Sequence, residues 1–155
     1  MKRLLTAFFA LGLVLAGSLA FGQVTSGALT MTVEGDPSQA GALSCWVFDW
    51  TCDSAGSLRA TTTAPRGTVA RVMFISDTGA TSPTTAYDIT ALDVGEFDIL
   101  QGHGANLVST VTSHAVPLYG DHPTSQPVVF TGPIDLTVDN AGDTRGGILR
   151  IWARP

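Results

Sequence analysis

Lysine is almost missing from this chain, with Lys2 its single example. Charged residues of every kind make up 14% of it, against about 25% in typical soluble domains. A sparse and acidic charge set excludes a basic surface for nucleic acid or an anionic membrane. The lack of lysine beyond Lys2 excludes Schiff-base chemistry on the rest of the chain. No G-x-S-x-G elbow, H-E-x-x-H pair or G-x-x-x-x-G-K-[ST] loop occurs. There is no internal repeat, no linker and no second domain. Cysteine is scarce too, with only Cys45 and Cys52.

What is present begins with the first 22 residues. Lys2 and Arg3 form a basic start. An apolar run follows from Leu4 to Leu15, broken by Thr6 and Gly12, and then small residues Ala16, Gly17, Ser18, Ala20 and Gly22. That order is the layout of a secretory signal peptide, expected as a helix. The run is short for a bilayer span. No cysteine follows the small residues, which argues against a lipoprotein. Cleavage is predicted between Gly22 and Gln23, with cleavage after Ala20 as the alternative. The mature part, residues 23–155, is then 133 residues (155 − 22), enough for one domain with its own core. It keeps six arginines against thirteen acids, a formal charge of about −7 (6 − 13). The product is expected to be exported, periplasmic or extracellular. An oxidising compartment permits a Cys45–Cys52 disulfide, which is expected here. On one straight strand residues seven apart face opposite ways, so the bridge requires a bend between them. The plainer alternative is two small buried hydrophobes.

Hydrophobic periodicity points to strands almost throughout. Leu29, Met31 and Val33 alternate with polar neighbours. Trp46, Phe48 and Trp50 share one face of Ser44–Cys52. Asp53–Gly56 signals a turn into a strand over Ser57–Thr63, and Ala64–Gly67 signals the next. Val69–Ile75 is apolar on both faces except at Arg71, the mark of a central strand. Ser76–Thr85 is a polar loop. Tyr87–Leu92 and Phe97–Leu100 read as a hairpin about Asp93–Glu96. Gln101–Ser113 is ambiguous, with one helical turn conceivable at Ala105–Val111. Pro117 makes His114–Tyr119 an edge strand, and Asp121–Pro127 is a polar loop. Val128–Thr131, Ile134–Val138 and Gly147–Ala153 complete the set. In the last, Leu149 and Ile151 face inward, while Arg150, Trp152 and Arg154 face the other way. About nine short strands without a long helix predict a single antiparallel β-sandwich, jelly-roll or Ig-like. The chain start at Gln23–Ser26 is expected to be loose.

One order of short motifs is familiar. Tyr87-Asp88-Ile89-Thr90 leads to Leu92-Asp93, Gly95 and Asp98-Ile99-Leu100, then to Gly102, Gly104-Ala105-Asn106 and Val116-Pro117-Leu118. Trp50, Asp53, Gly56 and Gly67 precede them, and Leu136-Thr137-Val138, Asn140-Ala141-Gly142 and Gly147 follow. This order resembles small β-rich proteins of tailed bacteriophages and prophages over most of residues 46–153. The resemblance implies a virion-associated or assembly-associated role and no catalytic residue. Virion proteins are normally built in the cytoplasm, so the export signal departs from that pattern.

Most of these residues also have a structural explanation. Gly95 is expected at a positive φ in its turn, with Asp93 accepting backbone N–H groups, and Asn140 and Gly142 do the same later. Tyr87 is expected to bury its ring and keep a hydroxyl partner. Asp88, Asp93, Glu96 and Asp98 crowd together, and Asp88 could meet Asp98 across the hairpin. Their spacing matches no calcium loop. His103, His114 and His122 are too widely spaced for a zinc site. Trp46, Phe48 and Trp50 suit a core face better than a sugar platform. Arg150 and Trp152 are the candidate surface contact pair. The chain is accordingly expected to be a non-enzymatic interaction module without cofactor or metal, working through a protein partner or self-association. The alternative is a periplasmic or extracellular carbohydrate-binding module, and the third choice a small hydrolase.

Overall fold

The structure, a computed structural model, describes residues 22–36, 41–62, 66–119 and 126–154. The expected signal peptide, the Ala64-Pro65 part of one turn and the loop holding His122 lie outside these residues, although Gly22 is already in a strand. Twelve strands are present among the described residues. They are β1 (Gly22–Ser26), β2 (Ala28–Glu34), β3 (Ser44–Thr51), β4 (Leu58–Thr62), β5 (Gly67–Ser76) and β6 (Asp88–Leu92). The series continues with β7 (Ser113–Ala115), β8 (Leu118–Tyr119), β9 (Gln126–Pro127), β10 (Val129–Phe130), β11 (Ile134–Asp139) and β12 (Gly146–Arg154). A 3₁₀ turn at Gly79–Thr81 is the one helical element among them. No helix among the described residues is long and apolar enough to cross a membrane.

The protein is all-β, with two main antiparallel sheets. One has the order β1-β4-β11-β6, and the other β10-β5-β12-β3-β2 with β7 also on β5. A small β8-β9 ladder stands apart. The expected central strand is inside its sheet, because β5 pairs with β12 on one edge and with β10 and β7 on the other.

Alternation decides which side chains meet. Opposite residues of an antiparallel pair share a face. In the larger sheet Phe48 lies beside Leu149 and Met31, and Leu149 beside Phe74. Trp46 lies beside Ile151 and Val33, and Ile151 beside Val72. The smaller sheet offers Leu58 and Ala60 from β4, Ile134, Leu136 and Val138 from β11, and Ile89 and Ala91 from β6. One hydrophobic cluster draws on both sets, so the two sheets share a core. Trp46, Phe48 and Trp50 are all buried in it, which makes them core and removes them as a sugar platform. Trp50 lies against Tyr87, with ring centroids 5.8 Å apart, and the Tyr87 hydroxyl reaches Ser76 Oγ at 2.9 Å.

Several expectations change. The chain start is not loose, since β1 pairs with β4 from Gly22↔Thr62 to Ser26↔Arg59. β1 and β2 are separated only by Gly27, so the chain changes sheets there. Gly27 has φ +70°, and a Cβ on it would lie 2.4 Å from the Thr51 carbonyl oxygen. Phe97–Leu100 does not form a return strand. Leu92 makes an isolated bridge to Asp98, and Ile99 and Leu100 drop into the core. Ala105–Val111 forms turns without a helix, and Pro117 divides the expected edge strand into β7 and β8.

The expected Cys45–Cys52 disulfide is corrected outright. Both thiols are free and buried. β3 runs through Cys45 to Thr51 without a break in its pairing with β2 or β12. At ~3.3 Å per residue the Cα atoms of Cys45 and Thr51 stand about 20 Å apart, so Cys52, the next residue, lies far beyond the roughly 7 Å that a bridge tolerates. The bend that the bridge required is absent, so the plainer alternative holds. Burial, with the Asp53 and Asp139 charges, pushes the Cys52 thiol up to about 11.

Candidate functional site

The crowded acids prove to be loop architecture. Asp93 Oδ1 accepts the N–H groups of Gly95 at 2.9 Å and Phe97 at 3.2 Å, as expected. Asp53 Oδ1 does the same for Ala55 at 2.9 Å and Ser57 at 3.1 Å. The two loops share their backbone bonds as well. Asp93 N–H donates to the Phe97 carbonyl and Glu96 N–H to that of Asp93, as Asp53 donates to Ser57 and Gly56 to Asp53. The residue at positive φ is the fourth in each loop, Gly56 in one and Glu96 in the other, and not Gly95. Asp98 turns its carboxylate onto the N–H groups of Leu100 and Gly102 at 3.0 and 2.8 Å. Asp88 accepts from Asn106 N–H and from Asn140 Nδ2, opposite Asp139 on β11. Asp88 and Asp98 therefore do not meet, because Asp98 is placed against Leu92 at the far end of β6. Asn140 and Gly142 both have positive φ in the later turn.

Neither described histidine joins a cluster of metal-ligating side chains. His103 is exposed, and His114 on β7 contacts Arg71 through Nδ1. An open hollow of about 360 Å³ is lined by Asp93, Phe97, Gln126, Pro127 and Val129 among the described residues. The one carboxylate among these described residues is that of Asp93, already holding its own turn.

The expected pair Arg150 and Trp152 sits on the outer face of the larger sheet, away from the core. Register places Arg150 between Val47 and Met73, Trp152 between Cys45 and Arg71, and Ile148 between Asp49 and Ile75. Both of the pair are half-buried, as are Met73, Ile75 and Ile148, while Cys45 and Val47 are covered. Arg150 Nη1 makes an ion pair with Glu34 Oε2 on β2 at 3.1 Å. The Arg71 guanidinium lies over the Trp152 ring, 5.1 Å from its centroid. Arg150 Nε is buried without a hydrogen-bond partner. Burial raises the Cys45 thiol, Glu34 adds to this, and the Arg150 charge and hydrogen bond oppose it.

Chemically this face is a mixed aromatic, aliphatic and guanidinium patch. Arginine, tryptophan and methionine are among the residues that concentrate where proteins meet. Sequence reasoning found Arg150 and Trp152 from alternation on β12. It missed Arg71 and Met73, since only the strand order sets β5 beside β12, and Glu34, which reaches Arg150 from β2 beyond β3. No family model, curated protein or solved structure matches this chain.

Proposed function

We propose that this chain is an exported, non-enzymatic β-sandwich of jelly-roll or Ig-like type that works by binding a protein partner. Its motif order resembles β-rich proteins of tailed bacteriophages, which supports a virion-associated or assembly role. The observation that carries the binding role is the outer face of the larger sheet. There Trp152 and Arg150 stand half-buried among Met73, Ile75 and Ile148, with Arg71 stacked on the indole. A solvated sheet face normally carries polar side chains, and this one carries a mixed aromatic, aliphatic and guanidinium patch.

The test is the double replacement Arg150→Ala and Trp152→Ala. Its expected cost is about 1–3 kcal/mol of stability, because both side chains are partly covered but lie on the outer face, away from the core. Affinity capture from the producing organism's secreted fraction, run beside a thermal melt, should retain a partner with the parent protein and lose it with the variant. Collapse of the fold, or equal capture by both, would remove the face from the binding role. A glycan-array signal that depends on Trp152 would replace the protein partner with carbohydrate. Turnover of a hydrolysable substrate that depends on one histidine would make the chain an enzyme.

A further inference from the structure

We propose that the protein forms a twofold dimer in which β2 pairs antiparallel with β2 of a second copy. β2 is the end strand of the larger sheet, and among the described residues it pairs with β3 alone. Its outer edge therefore presents a row of backbone donors and acceptors, the template on which another strand is added. Natural edges of this kind are guarded by lysine, proline or a bulge. Over its seven residues, Ala28-Leu29-Thr30-Met31-Thr32-Val33-Glu34, β2 has no lysine and no proline. Its one charge stands at the last position, and its ladder with β3 runs without a register shift.

The side chains say which strand fits. The segment Leu29-Thr30-Met31-Thr32-Val33 is a near palindrome about Met31. In a twofold antiparallel pair centred there, Met31 meets Met31, Leu29 meets Val33, and Thr30 meets Thr32. Glu34 meets Ala28, so no like charges are opposed. Leu29 and Met31 are half-buried against the core and Val33 is 39% exposed. All three share the face of Trp50, Phe48 and Trp46. The second copy would carry the apolar layer across the junction, and the exposed threonines would pair on the other face. A slip of one residue sets Leu29 opposite Thr32 and breaks the match. A closed interface of this kind is isologous, with each patch meeting its own copy. It does not use Arg150 or Trp152 and stands independently of their binding role.

The experiment uses the protein expressed from its full sequence, with two charge variants at exposed positions. One carries Thr30→Lys and Thr32→Lys, the other Thr30→Glu and Thr32→Glu. In the twofold pair each variant sets like charges opposite one another at both threonine pairs. Sedimentation should show the parent as a dimer and each variant alone with dimerisation weakened at least about tenfold. An equal mixture of the two variants should reassociate. A monomeric parent would overturn the proposal. So would variants that dimerise as well as the parent, the outcome if the apolar segment 4–15 drove association. Failure of the mixture to reassociate while both variants melt like the parent would also overturn it. Should a variant fail to fold, hydrogen exchange on the parent decides. β2 amides should gain protection as concentration rises, and unchanged protection would refute the dimer.

Discussion

Glu96 occupies a backbone conformation suited to glycine, while Gly95 beside it does not. The paired loops explain how. Asp53 and Asp93 each fold the chain back over their own carboxylate, and the geometry sends the fourth residue left-handed. One loop has glycine there and the other has glutamate. A left-handed residue with a Cβ costs roughly 1–2 kcal/mol, partly offset because glycine loses more freedom on folding. Glu96→Gly should therefore raise stability by about 0.5–1 kcal/mol in a denaturant titration. Gly95→Ala, whose Cβ would meet only Asp93 Oδ1 at 3.3 Å, should stay within ~0.5 kcal/mol of the parent. The reverse order of effects would return the strain to Gly95. The sequence drew attention to Gly95 because glycine marks turns. What it did not disclose is the position within the turn, which the Asp93 carboxylate decides.

At the scale of elements, Gly27 does the work of a corner. It lets one run of chain form the end strand of both sheets, β1 in one and β2 in the other. Gly27→Ala combines a positive φ with a Cβ driven against the Thr51 carbonyl. It should cost at least about 2 kcal/mol, and hydrogen exchange should show β1 amides opening first. A variant with the parent's stability would show that the corner tolerates a side chain. Strands with a full run of alternation were legible in advance, namely β2, β3, β4, β11 and β12, and so was β5 from its continuous apolar run. So was the turn after β6. β10 falls within the expected Val128–Thr131 and β8 within the expected His114–Tyr119, whereas the two-residue β9 lies in an expected loop, because two residues carry no period. β1 was not legible, because Gln23, Thr25 and Ser26 leave Val24 as its lone large apolar side chain. The Cys45–Cys52 bridge failed for a related reason. Both thiols were visible, but only the unbroken pairing of β3 shows how far apart they are held.

For the molecule as a whole, the core was legible and the neighbours of Arg150 and Trp152 on the outer face were not. Alternation on β12 puts Leu149 and Ile151 inward and Arg150 and Trp152 outward whatever the strand order. Arg71 and Glu34 reach that face only because β5 sits directly beside β12 and β2 lies beyond β3. The same order has a consequence in time. β12 lies between β5 and β3, pairing Gly147 with Ser76 and Ala153 with Ser44. Both partners are synthesised well before it, and the larger sheet has a gap at its centre until β12 arrives. Pairings this distant in sequence form slowly. A chain emerging from the ribosome should accordingly stay open until residues 146–154 are out. Stalled chains ending before Gly146 should be digested rapidly by protease, and chains extended beyond Arg154 should resist. Protection of the shorter chains would mean that β5 and β3 close without β12. An unfolded chain is also what a narrow secretory channel requires, so under the proposed export the placement of β12 after both of its partners would keep the strands before it threadable until β12 itself is made.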